Sequence, residues 1–279
     1  MAPRQATRRA AALRHELNYH NHRYHVLQSP VISDGEFDRR LRELRELEEQ
    51  FPELVTPDSP TQRVGSEPSE KFERVKHPAP ILSLGNAFGA DETRAWYERI
   101  ARLDERVAAA ALVVEPKIDG LTVVLHYREG LFVQGVTRGN GDIGEDITPN
   151  LRTLRALPLR IPVTDDGPKP PPYLVVRGEA FIPKRDFAAM NRKLAAAGER
   201  TYVNARNTVS GSLRQLDSRL TAARPIALLC YELVVAEGAT FDSQWAVLGY
   251  LRALGFPVAE VSKWFDDIES AVGYCEQWA

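Results

Sequence analysis

The chain has 279 residues, 43% hydrophobic and 27% charged, which excludes fibrous, collagenous and wholly disordered classes and leaves room for about two domains. A formal net charge of -2 gives no global pull toward nucleic acid, so a polyanion would have to meet a local cluster of Arg and Lys. Cys230 and Cys275 are too far apart in sequence for a zinc or redox motif, and no apolar run or signal-peptide core points to a membrane, so the expected compartment is the cytoplasm.

The first predicted elements are helices. Apolar residues recur at helical spacing from about Thr7 to Leu27 and from Asp34 to Gln50, as in Phe37, Leu41, Leu44 and Leu47. Ser29 and Pro30 break the two apart, and Asp34 is the expected N-cap of the second. Pro52, Pro57 and Pro60 then forbid a long helix and mark a linker. From His77 onward the texture changes to short β-branched runs between Gly and Pro. Strands are expected at Leu112 to Ile118, Leu121 to Tyr127, Leu131 to Thr137, Leu174 to Phe181 and Ile226 to Val235. TVVLHY and LFVQGV, joined by Arg-Glu-Gly, read as an antiparallel hairpin. Helices are expected at about 91–108, 184–197, 242–254 and 267–278, the middle pair closed by Gly198 and Gly255.

Five segments carry candidate chemistry, each with an ordinary structural alternative. In VVEPKIDGL, strand alternation would put Glu115, Lys117 and Asp119 on one face, two carboxylates flanking one amine. A solvent-facing, salt-bridged strand explains the same letters, but Pro116 and Gly120 suggest a backbone shaped around something. Lys117 would serve as a covalent nucleophile if neighbouring cations or desolvation lowered its pKa. TRGNGDIGED sets Arg138 among Gly139, Gly141 and Gly144, a backbone able to approach an anion, or else a Gly-rich hairpin exit. In VVRGEAF, Arg177 and Glu179 share a strand face, as an internal ion pair or as part of a site. Arg206 and Arg214 in NARNTVSGSLRQLD fall on roughly one side if a helix joins them, suiting a phosphate clamp or a solvated basic face. Last, Tyr19, His20, His22, Tyr24 and His25 lie near Asp34, Phe37 and Asp38; the spacing does not fit a zinc helix, whereas rings beside carboxylates suit a flat cationic ligand. Ordinary helix packing is the competing explanation.

Taken in order, YHVLQSPVISDGEFD, TPDSPTQRVG, ILSLGNAF, EPKIDGL, TRGNGDIGEDIT, VRGEAF and NARNTVSGSLRQLD resemble the N-terminal half of the bacterial NAD-dependent DNA ligases, across residues 15 to 279. The resemblance implies an α+β chain: a small all-α unit that binds nicotinamide mononucleotide, with its linker, at 1–72, then an ATP-grasp-like nucleotidyltransferase domain of mainly antiparallel sheets at 73–279, lacking its last strands. It implies that Lys117, with Asp119 of the same Lys-x-Asp-Gly motif, attacks the α-phosphate of NAD to form lysyl-AMP, which passes to the 5′-phosphate of nicked double-stranded DNA. By the same match Glu115, Ser83 and Leu84 lie at the adenine, Arg138 and Glu179 at the ribose and phosphates, and Arg206 and Arg214 near phosphate. Tyr24, His25, Asp34, Phe37 and Asp38 grip the departing nicotinamide nucleotide. Mg2+ is implied alongside NAD, with no ligands assigned to it. Phe37 stands where the family commonly has Tyr, and YVNARNTVSG differs from the common FANPRNAAAG. The chain stops before the family's later lysine motifs, so the expectation is a fragment, weak or inactive alone. The alternatives are a noncatalytic NAD- or mononucleotide-binding fragment and a related RNA ligase or capping nucleotidyltransferase.

Overall fold

A computed structural model of the chain describes residues 2–63 and 72–278. Val64 and Gly65, the end of TPDSPTQRVG, lie outside the described residues, which resume just before the expected unit boundary at 72/73. Two helices open the chain, α1 (Arg4–His25) and α2 (Asp34–Gln50). Their apolar stripes meet: Ala10, Leu13 and Leu17 are buried against Leu44 and Leu54, with Phe37, Leu41 and Leu47 at the margin. Arg9–Glu43 and Arg40–Glu16 ion pairs tie their outer faces. The N-cap of α2 is Ser33 rather than Asp34. Its Oγ accepts from the Glu36 amide at 3.3 Å, which leaves Asp34 inside the first turn, where the helix dipole favours an acid. The prolines that follow fold into 3-10 turns, Pro52–Leu54 and Pro60–Arg63.

The centre is a four-stranded antiparallel sheet of β3 (Leu121–Arg128), β4 (Leu131–Thr137), β6 (Tyr173–Phe181) and β7 (Ala227–Ala236), in the order β4-β3-β6-β7. The β3–β4 hairpin forms as expected, with Glu129 (φ 47°) and Gly130 (φ 74°) both left-handed, as a tight hairpin turn of this twist needs. Alternation gives the sheet two unlike faces. Val123, Leu125, Tyr127, Leu174, Val176 and Ala180 point into the main core, which includes Leu154, Leu157, Leu251 and Phe256 from covering segments. Thr122, Val124, Val175, Arg177 and Glu179 occupy the other face, as their cross-strand pairings require.

The remaining elements are short or peripheral. β1 (Arg74–Lys76) pairs with β5 (Ile143–Glu145), and β2 (Leu112–Val114) pairs with β8 (Lys263–Phe265). Helices α3 (Ala90–Leu103), α4 (Thr148–Arg152), α5 (Lys184–Ala196), α6 (Ala205–Leu213), α7 (Ser218–Ala222), α8 (Gln244–Leu254) and α9 (Ile268–Glu276) complete the chain. Two expectations need correction. The helix expected over 91–108 breaks at Leu103, because the Asp104 side chain caps a separate 3-10 turn, Glu105–Ala109. The strand expected over Leu112 to Ile118 ends at Val114; its partner β8 is three residues long and Pro116 has no amide to donate. Glu115, Lys117 and Asp119 therefore lie on a loop, and strand alternation does not order them.

Candidate functional site

The loop 115–120 runs from β2 into β3 and is anchored at its far end. Gly120 is buried against β6 so closely that a Cβ there would lie 2.0 Å from the Ala180 carbonyl oxygen. Beside that contact, the Glu179 carboxylate accepts from the Gly120 amide at 3.2 Å and from the Thr122 hydroxyl at 2.8 Å. Lys117 and Asp119 are exposed on the loop, and Arg206 pairs with Asp119 at 2.8 Å. Arg206 stands in the first turn of α6, which the Asn204 side chain caps by accepting from the Asn207 amide. Burial pushes the Glu179 carboxyl above the ordinary glutamate range, and the bonds from Thr122 and Gly120 and the charges of Lys117 and Arg206 act against that rise. Lys117, Asp119, Glu179 and Arg206 thus form one cluster.

A second layer flanks it. The segment 77–83 lies over the non-core face of the sheet, where Ile81 packs with Val124 and Val175, and its His77 and Ile81 amides donate to the Asp142 and Gly141 carbonyls at 2.8 Å each. Arg138 holds this segment by donating to the Ile81 carbonyl at 3.3 Å and to the Ser83 hydroxyl at 2.5 Å, while Leu84 projects into solvent. Buried Arg177 donates to the Leu82 carbonyl at 2.9 Å and to Glu232 at 2.8 Å, so its ion pair is with Glu232 and not, as one of the two readings had it, with Glu179. The reason is register: Arg177 lies directly opposite Glu232 on β7. The same register skips Tyr231, a bulge that frees its ring from the sheet's alternation and sets it 5.5 Å from the Arg177 guanidinium. Burial pushes the Tyr231 hydroxyl up to about 12. Glu115 is half-buried and accepts from Gln244 at 2.7 Å; burial raises its carboxyl, against that bond, and Glu232 adds to the rise.

Arg214 is placed apart. It lies just past the C-terminal end of α6, roughly 12 Å of helix rise from Arg206, and binds Glu145 at 2.7 Å and Ser210 at 2.9 Å. Among the described residues no contact joins the two arginines into a clamp. Tyr231, Glu232 and Gln244 were not marked by the sequence. A bulge and a bond across 129 positions leave no local pattern.

Tyr24, His25, Asp34, Phe37 and Asp38 all line one cavity of about 540 Å³, which is also lined by Arg63, Thr153, Arg155 and Arg219. The Tyr24 and His25 rings touch in a tilted arrangement, with centroids 4.6 Å apart and planes 55° from parallel. Burial lowers the His25 imidazole to about 4, with the charges of Arg155 and Arg63 adding to the effect, so the ring is neutral at neutral pH. Aromatic rings, two carboxylates and several guanidinium groups in one cavity suit a ligand that carries both a flat cation and an anion. None of Lys117, Asp119, Glu115 or Glu179 lines this cavity.

The chain matches a family model described as the NAD-dependent DNA ligase adenylation domain over residues 69–279, and one described as a DNA ligase-like, N-terminal NAD+-binding domain over residues 3–65. It is similar to the DNA ligase of Roseiflexus castenholzii, 50% identical over 285 residues that cover 100% of this chain and 40% of that protein. The DNA ligases of Chloroflexus aggregans (48% identical; 98% of this chain, 41% of the relative) and Myxococcus xanthus (49%; 91% and 38%) align in the same way. The chain spans about two fifths of the length of these curated relatives.

Proposed function

The chain belongs to the NAD-dependent DNA ligases, and from that premise we propose that it carries out the adenylation step of ligation with Lys117 as nucleophile. The deprotonated amine of Lys117 attacks the α-phosphorus of NAD. An N–P bond forms, the P–O bond to nicotinamide mononucleotide breaks with its electron pair leaving on that phosphate, and the amine proton is lost to solvent. The lysyl-AMP so formed transfers its adenylate to the 5′-phosphate of a DNA nick, and the 3′-hydroxyl displaces AMP to seal it. Residues 1–72 act as the unit that binds the mononucleotide and residues 73–279 as the adenylation domain.

The observation that carries this reading is the cluster of Lys117, Asp119, Glu179 and Arg206. Phosphoryl transfer needs an aligned nucleophile, cations at the developing charge and an oriented leaving group. Glu179 fixes the end of the Lys117 loop, Asp119 steadies Arg206 on the same side, and Arg138 holds Ser83 and the base of the Leu84 segment. Arg214 joins on the phosphate side only if it releases Glu145. Glu115, Ser83 and Leu84 bound the adenine, and Arg138 and Glu179 the ribose and phosphates. Tyr24, His25, Asp34, Phe37 and Asp38 hold the pyridinium ring, because ring faces and carboxylates both attract a cation. Among the described residues no group of three or more His, Cys, Asp or Glu is arranged to hold a metal ion, and Mg2+ would enter with the dinucleotide's own phosphates. No helix of the described residues is long and apolar enough to cross a membrane.

Mass spectrometry after incubation with NAD and Mg2+ tests the assignment. An AMP-sized gain is expected on the wild-type chain and none on Lys117→Ala. A gain that survives Lys117→Ala sinks the site, and a gain obtained with ATP but not NAD points to a related RNA ligase or capping enzyme instead.

A further inference from the structure

Gln244 is the first residue of α8, whose N-cap Ser243 accepts from the Ala246 amide and fixes the start of the helix. Its side-chain amide reaches two elements far away in sequence. Nε2 lies 2.7 Å from Glu115 Oε1 and 2.7 Å from the Tyr231 carbonyl, so both of its N–H groups are spent, one on each acceptor. The second acceptor is the carbonyl of Tyr231, the bulged residue that the β6–β7 register skips. Glu115 makes no other hydrogen bond among the described residues, so its second oxygen is free to accept.

We propose that Gln244 is a positioning residue for base recognition, holding Glu115 as an acceptor-only carboxylate so that adenine, with its exocyclic amine, is accepted and a base bearing a carbonyl at that position is refused. This rests on the reading that Glu115 faces the adenine. The physical argument is one of proton placement. A hydrogen bond donated to one oxygen favours the ionised carboxylate, whose other oxygen can only accept and so pairs with an amine and repels a carbonyl. Burial and Glu232 both push Glu115 toward its protonated form, and the N–H of Gln244 is the hydrogen bond that opposes them. Without that bond a protonated Glu115 would donate to a carbonyl, and the distinction between the two bases would fade.

The test compares the Kd of NAD with that of nicotinamide hypoxanthine dinucleotide, measured by calorimetry on the full chain. The wild type is expected to prefer NAD by about tenfold or more. Gln244→Met, which keeps the length but donates nothing, is expected to weaken NAD by about tenfold while shifting the hypoxanthine dinucleotide by less than about threefold. Gln244→Glu sets a further carboxylate against Glu115 and is expected to collapse the preference at least as far. Equal weakening of both dinucleotides in both variants would mark a merely structural role and overturn the proposal. Glu115→Gln separates the two levels. If it abolishes the preference while the Gln244 variants keep it, the role of Gln244 fails and the placement of Glu115 stands. If Glu115→Gln leaves the preference intact, the adenine reading itself falls, and the proposal with it.

Discussion

Glu179 does two jobs that oppose each other. Its carboxylate accepts from Gly120 and Thr122, fixing the loop that presents Lys117, yet burial makes its ionised form costly and raises its pKa. A buried acid whose pKa is higher folded than unfolded binds its proton more tightly in the native state. Its contribution to stability is therefore most favourable at low pH and declines as pH rises from the unfolded glutamate value through the folded one. Glu179→Gln keeps an acceptor for Gly120 and a donor for the Thr122 oxygen without the charge. At pH 8 it should raise the melting temperature by roughly 2–4 °C, the shift that about 1 kcal/mol produces in a domain of this size. The gain should vanish near pH 4, and lysyl-AMP formation should fall at both. Melting curves at the two pH values that shift equally would remove ionisation as the cause. At this scale the sequence was informative wherever chemistry is local: Lys117, Asp119 and Gly120 fall within four positions, and Pro116 announced an irregular backbone. It was uninformative where burial by distant chain segments sets the chemistry, as it does for Glu179 and Glu115.

Among the elements, those long enough to show periodicity were legible. The stripe Phe37, Leu41, Leu44 and Leu47 gave α2 its limits, and β-branched runs gave β3, β4, β6 and β7. The three-residue strands β1, β5 and β8 were not, because a strand that short has no alternation to read and exists only through its partner. The same dependence misplaced the end of β2, and with it the imagined common face of Glu115, Lys117 and Asp119. What orders those residues instead is the close approach of Gly120 to β6. Any side chain at 120 must push the Ala180 carbonyl aside and open the start of the β3–β6 ladder. Gly120→Ala is expected to cost about 3 kcal/mol, a fall in melting temperature of roughly 6–12 °C, and to abolish lysyl-AMP formation. Gly211→Ala, in the interior of α6 with nothing within 4 Å, supplies the contrast and should be neutral or stabilising by up to about 1 kcal/mol. Equal losses in the two variants would show that the contact with Ala180 is not what matters.

At the scale of the whole molecule the two candidate pockets are separated. The helical unit is docked beneath the core side of the sheet: Arg63 donates to the carbonyls of Leu154 and Leu157 at 2.6 and 2.8 Å, Arg152 donates to Pro57 at 2.7 Å, and Arg160 pairs with buried Asp58 at 2.6 Å. Arg177 and Glu179 occupy the opposite face. With the two sites on opposite sides of the sheet, a dinucleotide gripped at Phe37 is expected to meet Lys117 only once the helical unit leaves its dock. The docked state then competes with the reactive one, and its weight lowers apparent affinity in proportion. Arg160 is the contact best suited to test this, since its guanidinium is half-exposed and touches neither pocket. An ion pair with one solvated partner is worth about 1 kcal/mol or less, so Arg160→Ala should lower the NAD concentration needed for half-maximal lysyl-AMP formation by roughly threefold to fivefold, with little change in the rate at saturation. Added salt should shift the wild type in the same direction and the variant much less, because screening acts on the pair the variant has already lost. A half-maximal concentration that rises in Arg160→Ala would mean that the dock serves the reaction, and that the two pockets work on one dinucleotide without parting.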